Sequence, residues 1–298
     1  MRALSLAAGL LLAGCASTTA TTAPKALSDE VVVSQIGEKP TPASPPTGQQ
    51  WLYGSAEGAV ASAQVYRALA AYVGNAVLSA VPRRQRVLAE GSTPAAPRFD
   101  ACGDKPPAAV FDADETLIWN IGAMRYMAEQ HKDFDPVIWD QWEKTGAGKA
   151  IAMPGVVDAL AAMRAAGVTI IVNTNRTAAN AQGTEEALRA AGLGEFRHGE
   201  TLFLMGDTPD GASKDGRRAQ IAARWCVIAM GGDQLGDFAQ AFNAPGLSVA
   251  DRKTLATSGP IAALWGQGWF LLSNPVYGPS IRGGFADIFP SDKQWEPK

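Results

Sequence analysis

From residue 107 onward, short apolar runs alternate with stretches that have the composition of helices. The runs are rich in Val, Ile, Leu and Phe, and the segments TAANAQGTEEALRAAGLG and SKDGRRAQIAAR between them contain good helix formers. Apolar strands that alternate with helices of this length predict an α/β fold with a parallel sheet covered on both faces. The five predicted strands are PAAVF up to Asp112, VTIIVNT ending at Thr174, TLFLMG near residue 206, WCVIAMGG up to Asp233, and WFLLSNP near residue 275.

Two further segments are predicted to be helical. Residues 51–81 place apolar side chains every three or four positions, with Ser55 suited to cap a helix and Pro82 to end it, so one or two helices are expected there. The segment 120–154 interrupts the strand rhythm and is rich in Trp and Met. Its aromatic side chains are either core or a surface that stacks on a planar leaving group. We interpret 51–95 and 120–154 as a helical cover beside the carboxyl ends of the strands, where ligands bind in such sheets.

The first fifteen residues, MRALSLAAGLLLAGC, have the layout of an export signal: Arg2, a short apolar stretch and small residues before a cysteine. The stretch is too short to span a bilayer. Because LAGC resembles a bacterial lipoprotein box, we interpret residues 1–14 as a signal peptide and Cys15 as the lipidated residue; an ordinary secretory signal is the alternative. Residues 15–50, rich in Ala, Thr, Ser and Pro, would tether a domain at 51–298 to the outer membrane, facing the periplasm or the cell surface.

Composition and charge narrow the classes of partner. With 47% hydrophobic and 18% charged residues, the chain has the profile of a globular protein with a substantial core and not of a disordered one. The net charge of -3 provides no broad basic field, so a nucleic acid polymer is not expected as a partner. A small anionic substrate would need a local positive site. Nothing in the sequence decides whether the chain forms oligomers.

The polar residues that follow the predicted strands are of types that could act together at one site. They are Asp112 and Asp114 after the first strand, Thr174, Asn175 and Arg176 at the second, Lys214 after the third, and Asp233 and Asp237 after the fourth. Any one of them could be a helix cap, a turn former or a solvated charge. Carboxylates that meet at one sheet edge repel each other, and Asp112, Asp114 and Asp233 offer oxygens of the kind that Mg²⁺ binds. With Thr174 and Lys214 to hold further oxygens, the set indicates a phosphate ester as substrate.

The motifs DADET, VNTNR, SKDGRR and GDQLGDF, in this order, resemble the four motifs of the haloacid dehalogenase (HAD) superfamily. Together with the export signal they are similar to the class C acid phosphatases, bacterial surface lipoproteins that include 5'-nucleotidases. The resemblance runs from about residue 51 to 280. It implies a Rossmann-like HAD core with a small helical cap, formed by the N-terminal helices and the insert after the first motif. It also implies an exported, Mg²⁺-dependent acid phosphatase acting on phosphate monoesters, with nucleoside monophosphates among the candidates.

The resemblance implies a role for each matching residue. Asp112 would attack phosphorus to give an aspartyl phosphate, and Asp114 would protonate the leaving oxygen and then activate water. Thr116 would brace the turn that carries them. The implied phosphate-binding residues are Thr174, Asn175 and Lys214, with Lys214 also paired to the nucleophile. The implied metal ligands are the Asp112 carboxylate, the Asp114 backbone carbonyl and Asp233, with Asp237 orienting the metal and its waters.

The chain departs from the family pattern around the leaving group. Trp119-Asn120 stands where family members commonly have Asp-Asn, and Tyr277-Gly278-Pro279-Ser280 stands where they have Tyr-Gly followed shortly by Trp-Glu. The segment 239–263 is also longer than the corresponding segment in most family members. These differences leave the phosphate chemistry intact and alter the leaving-group pocket. Tyr277 is the best candidate for a substrate contact there.

Two questions stay open at the level of sequence. The superfamily strand order places the first and fourth strands side by side, so Cys102 and Cys226 would form either a disulfide at the end away from the site or two free thiols. The second question is function. The alternative to the phosphatase is a surface lipoprotein that only binds, on a scaffold that has lost catalysis.

Overall fold

The computed structural model describes residues 44–81 and 83–298. The signal peptide at 1–14, the lipidation of Cys15 and most of the tether lie outside these residues. Within them, no helix is both long enough and apolar enough to cross a membrane.

A parallel five-stranded sheet forms the centre of the fold, as predicted. Its strand order is β5-β4-β1-β6-β7, and each neighbouring pair is parallel. The strands β2 and β3, which were not predicted, pair antiparallel in a separate two-stranded sheet. The strands are β1 Pro107–Phe111, β2 Ile118–Trp119, β3 Ile151–Ala152, β4 Thr169–Thr177, β5 Leu202–Met205, β6 Cys226–Gly232 and β7 Trp269–Leu271.

Helices surround the sheet and supply the predicted cap. A π-helical turn at Gln50–Gly54 leads into the longest helix. Two helices in the segment 120–154, α3 and α4, confirm the helical insert. The helices are α1 Thr47–Gln49, α2 Ala56–Leu78, α3 Ile121–Glu129, α4 Pro136–Thr145, α5 Val156–Ala165, α6 Ala181–Ala190, α7 Asp215–Arg224, α8 Val249–Thr257, α9 Gly259–Ala262 and α10 Phe285–Ile288.

The boundaries of the N-terminal cover differ from the prediction. Ser55 caps α2 as expected, accepting a hydrogen bond from the Gly58 amide at 2.9 Å. The helix ends at Leu78, and the described residues from 79 to 95 contain no helix. The predicted end of the tether at residue 50 is also wrong, because helical structure begins at Thr47. There the chain packs so closely that a Cβ on Gly48 would lie 2.3 Å from a backbone oxygen of the loop after β7.

Both faces of the sheet are covered. Phe111 of β1 belongs to the same buried cluster as Tyr66 and Leu69 of α2. The preceding residue, Val110, points to the opposite face and belongs to a second cluster with Ile221 of α7. Since successive strand side chains alternate between faces, β1 is buried on both sides, which explains its uninterrupted apolar sequence.

A disulfide joins Cys102 to Cys226, with the Cα atoms 5.1 Å apart. It links the segment before β1 to the first residue of β6, where Cys226 lies beside Pro107 in the sheet register. The structure therefore decides the question that the sequence left open. The bond lies at the amino end of β6, about 20 Å of extended strand away from the residues that follow its carboxyl end.

We expect removal of this bond to lower stability without changing catalysis. The disulfide closes a loop with a sequence separation of 124, and closing so long a loop restricts the unfolded chain. The double substitution Cys102→Ala/Cys226→Ala should reduce the free energy of unfolding by about 2 to 5 kcal/mol, measured by urea denaturation. Enzyme activity well below the midpoint should be unchanged. Equal urea midpoints for the two proteins would contradict the expectation.

Candidate active site

The carboxyl ends of β1 and β6 bring three acidic side chains together. Asp112 directly follows β1, and its amide donates to the Gly231 carbonyl of β6 at 3.0 Å. Asp233 directly follows β6, and Asp237 lies in the next turn. Each of the three carboxylates offers an oxygen, and these oxygens lie within 4.8 Å of one another. The predicted convergence of Asp112 with Asp233 is therefore present.

Lys214 lies between two of these carboxylates. Its ammonium group makes a very short contact with Asp112 Oδ1 and lies 2.7 Å from Asp237 Oδ1. The residue is only 5% exposed and immediately precedes α7, which holds it at the sheet edge. Burial lowers the pKa of Lys214, but the charges of Asp112 and Asp237 outweigh burial and raise it overall. Lys214 is therefore a buried cation beside the predicted nucleophile.

Asp233 is held by side chains from three parts of the chain. Its Oδ2 accepts from Asn274 Nδ2 at 2.7 Å and Gln234 Nε2 at 3.0 Å, and its Oδ1 accepts from Thr116 Oγ1 at 3.3 Å. Thr116 thus ties the turn after β1 to the residue after β6. Burial, followed by the charge of Asp237, raises the pKa of Asp233 to about 7. Asn274 could not be predicted from the sequence, because an asparagine after a strand carries no distinctive signal.

The acidic group fits a hard divalent cation. Burial raises the pKa of Asp112 well above its usual value; Lys214 opposes this shift, while the charges of Asp237 and Asp233 add to it. Buried carboxylates that repel each other in this way are stabilised when an ion with oxygen ligands lies among them. The residues that could hold Mg²⁺ through their side chains are Asp112, Asp233 and Asp237.

Asp114 has a different environment from the other acidic residues. Its Oδ1 accepts from Arg176 Nε at 2.9 Å and from Asn120 Nδ2 at 2.9 Å. Its Oδ2 lies 3.5 Å from the Thr174 hydroxyl. The Asp114 side chain is thus directed away from the group formed by the other three carboxylates, and metal binding through its backbone carbonyl stays a prediction. The contact of Arg176 with Asp114 was not predicted, although Arg176 belongs to the motif VNTNR.

A buried arginine holds the part of β4 that contains Thr174. Arg217 of α7 donates to the Thr174 carbonyl in a very short contact and to Asn175 Oδ1 at 2.5 Å. The Asn175 amide donates to the Ala212 carbonyl at 3.0 Å. Both ends of the Asn175 side chain are therefore engaged within the protein, and the predicted contacts of Thr174 and Asn175 with substrate remain predictions. Arg217 was missed because its motif, SKDGRR, does not show which of its cations is buried.

A fully buried glutamate of the first motif connects distant segments. Glu115 Oε1 accepts from the Tyr53 hydroxyl at 3.1 Å and from the Asn120 amide at 2.9 Å, while Oε2 accepts from the Tyr277 hydroxyl in a very short contact. Burial, followed by the charge of Asp114, raises the pKa of Glu115 to about 7. The Tyr277 hydroxyl is thus committed to Glu115, and the substrate contact predicted for Tyr277 remains a prediction for its ring alone.

The stability of the metal-free protein should depend on pH. The pKa values of Asp233 and Glu115, each about 7, lie above the ordinary values of 3.8 and 4.5. At pH values between the ordinary pKa and the raised pKa, the folded state binds more protons than the unfolded state. The free energy of unfolding therefore falls as pH rises through this range. In EDTA, the melting temperature should be higher at about pH 5 than at about pH 7.5.

Mg²⁺ should reverse the loss of stability that is expected as pH rises. An ion at about 100 times its dissociation constant stabilises the folded state by about 2.7 kcal/mol. At about pH 7.5 saturating Mg²⁺ should therefore raise the melting temperature by about 5 to 10 °C, and by less at about pH 5, where protons compete for the carboxylates. Asp233→Asn should reduce the shift. An unchanged melting temperature at both pH values would contradict a metal site here.

Comparison with known proteins shows the family and the fold of this chain. The family model for the HAD superfamily, subfamily IIIB (Acid phosphatase), matches residues 50–280. A class C acid phosphatase from Bacillus anthracis with tungstate bound is similar in structure, with a TM-score of 0.62 and 24% identity over 84% of this chain and 96% of that chain. A second structure of the class C acid phosphatase from Bacillus anthracis has a TM-score of 0.61 and 23% identity over the same shares. The structures share the fold, and the family match confirms the resemblance that the sequence motifs indicated.

Proposed function

Because the chain belongs to the acid phosphatases of HAD subfamily IIIB, we propose that it hydrolyses small phosphate monoesters with Mg²⁺ as cofactor and Asp112 as nucleophile. The observation that carries this proposal is the buried contact between Lys214 and Asp112, beside the carboxylates of Asp233 and Asp237. A cation at the nucleophile binds a transferring phosphoryl group where its negative charge develops.

The chain's own residues account for each step. A carboxylate oxygen of Asp112 forms a bond to phosphorus while the ester P–O bond breaks, and the electron pair of that bond leaves with the ester oxygen. Asp114 gives this oxygen a proton, then takes one from the water that hydrolyses the aspartyl phosphate. Lys214 and Thr174 donate to phosphoryl oxygens. Mg²⁺, when bound, neutralises the charge of the carboxylates and of the phosphate.

The proposed substrates are small phosphate esters, including nucleoside monophosphates, and not nucleic acid polymers. The site contains a buried cation, Lys214, beside the predicted nucleophile, whereas the whole chain has a net charge of -3. The net charge of the protein therefore does not attract a nucleic acid polymer over long distances. A single phosphate group can still bind to the cation at the site.

We further propose that the protein is exported and anchored by lipid at Cys15. Two observations support this. The first is the signal-like sequence of residues 1–15. The second is the Cys102–Cys226 disulfide, a bond that forms and persists mainly in oxidising compartments outside the cytosol. Labelled palmitate should be incorporated into the wild-type chain and not into Cys15→Ala. Equal labelling of both would overturn the assignment of this cysteine.

The activity is tested by phosphate release from p-nitrophenyl phosphate and from a panel of nucleoside monophosphates. We expect turnover with Mg²⁺, loss of turnover in EDTA and recovery when Mg²⁺ is returned. Faster release from nucleoside monophosphates than from simple alkyl phosphates would support the nucleotidase assignment. The absence of turnover with every ester would contradict the proposal and favour the surface lipoprotein that only binds.

A further inference from the structure

The two oxygens of Asp114 are not equivalent. Oδ1 accepts hydrogen bonds from Arg176 Nε and from Asn120 Nδ2, each at 2.9 Å, and forms an ion pair with the Arg176 terminal nitrogen at 2.8 Å. Among residues 44–81 and 83–298, the hydrogen-bond partner of Oδ2 is the distant hydroxyl of Thr174, at 3.5 Å. Because a carboxylate oxygen offers about two lone-pair directions, these two hydrogen bonds leave Oδ1 no room for a proton of its own. A proton on Asp114 is therefore placed on Oδ2.

The Arg176 side chain is enclosed by residues around the Asp114 carboxyl group. Its side chain is 1% exposed, and its terminal nitrogen also donates to Asn120 Oδ1 at 2.7 Å. The guanidinium lies 5.9 Å from the ring of Trp139, a residue of α4. Because it is enclosed on these sides, Arg176 is not available to a phosphate group. The positive charge of the Arg176 guanidinium and its planar set of N–H donors therefore act on the Asp114 carboxylate.

The cap fixes the orientation of Asn120. Trp142 of α4 donates its indole N–H to Asn120 Oδ1 at 2.8 Å. An indole N–H is only a donor, so this contact requires the oxygen of the Asn120 amide to face Trp142 and Arg176. The NH₂ group of Asn120 must then face Asp114 and donate to Oδ1. The helix α4 thereby determines which way the amide points, and through it the rotation of the Asp114 carboxyl group.

We propose that Arg176 and Asn120 are positioning residues that hold the general acid Asp114 with its Oδ2 directed to the leaving group. This inference rests on the proposed phosphatase function. In the step concerned, the Oδ2–H bond breaks and its proton goes to the ester oxygen as the P–O bond breaks. The bond electrons stay on the leaving oxygen, and Asp114 becomes a carboxylate. Arg176 and Asn120 stay bonded to Oδ1 throughout.

The test is the dependence of kcat/KM on the leaving group. Proton donation matters most when the leaving oxygen is strongly basic, so misplacing the acid harms alkyl phosphates more than p-nitrophenyl phosphate. The substitution Arg176→Lys keeps the positive charge and removes the planar set of guanidinium N–H donors. We expect it to lower kcat/KM about 10²- to 10³-fold for an alkyl phosphate and about 10-fold or less for p-nitrophenyl phosphate. Trp142→Phe, which removes one N–H donor from Asn120 and leaves Arg176 in place, should show the same trend with smaller losses.

The matched control is Arg252→Lys. Arg252 is also largely buried, but it donates to the Phe242 carbonyl at 3.1 Å and to Asn243 Oδ1 at 3.4 Å instead of to Asp114, so its replacement should not change the ratio between the two substrates. A double-mutant cycle provides the second readout. When Asp114→Asn is already present, Arg176→Lys should cause no further loss of kcat/KM, because it acts through Asp114.

Two results would overturn the inference. Equal losses for all leaving groups would mean that Arg176 binds the phosphate or supports the fold in general. Additive losses in the double-mutant cycle would mean that it acts independently of Asp114. If Arg176→Lys does not fold, the leaving-group dependence of Trp142→Phe decides alone. Failure of the proposed function looks different, because then the wild-type enzyme releases no phosphate from any ester.

Discussion

Asp112→Asn should lower kcat for p-nitrophenyl phosphate by about 10⁴-fold or more, a barrier increase of about 5.5 kcal/mol. The amide has the same shape as the carboxylate but cannot act as the nucleophile, so the covalent route is closed. Phosphate release under saturating Mg²⁺ measures the effect. Asp158→Asn, on the exposed side of α5, is the matched control and should retain full activity. Full activity of Asp112→Asn would refute the nucleophile assignment.

The same substitution should leave the protein folded. Burial raises the pKa of Asp112, Lys214 opposes this shift, and repulsion from Asp237 and Asp233 adds to it. The neutral amide removes both the cost of burying a charge and the repulsion. Lys214 keeps Asp237 as a partner. The melting temperature of Asp112→Asn in EDTA should therefore equal or exceed that of the wild-type protein. A large decrease would mean that the Asp112 carboxylate holds the fold together and is not only catalytic.

Lys214→Met should have the second largest effect, on both activity and stability. The ammonium group contacts Asp112 and Asp237, and all three side chains are largely buried. Removing the cation leaves two buried carboxylates without their partner, which should cost about 3 to 5 kcal/mol of stability in EDTA. It also removes a donor to the transferring phosphoryl group, so kcat/KM should fall about 10²- to 10³-fold.

Mg²⁺ distinguishes the two effects of Lys214→Met. Saturating Mg²⁺ should restore part of the lost stability, because it neutralises the carboxylates, and should not restore activity. Thermal unfolding and phosphate release, each measured with and without the metal, check this. The exposed residue Lys253 of α8 provides the control Lys253→Met, which should behave as wild type. Activity above about half of the wild-type value for Lys214→Met would show that this lysine is not part of the catalytic group.

The central sheet and the metal group could be predicted because they follow from local patterns and one topological rule. Apolar runs marked all five strands, and the ends of parallel strands meet at one edge, which brings Asp112 to Asp233. This topological rule does not predict the direction in which each side chain points. Asp112 and Asp114 are two residues apart, yet one lies against Lys214 and the other against Arg176.

The regions that departed from prediction are those whose conformation depends on distant partners. Helical structure begins at Thr47, before the expected boundary, because the loop after β7 packs on Gly48. Glu115 has a positive φ of 51°, which its partners Tyr53 and Tyr277 help to hold. Neither partner is close to Glu115 in the sequence, so local propensity alone gives no indication of the contact.

By itself, the sequence determined the parallel sheet, the family and the acidic edge, since these depend on the periodicity of apolar residues and on motifs a few residues long. Only the tertiary structure decided the Cys102–Cys226 pairing and which oxygen of Asp114 is held by Arg176. The residues of these pairs are 124 and 62 positions apart. Contacts over such distances are set by how helices and strands pack against each other, and that packing depends on the whole chain at once.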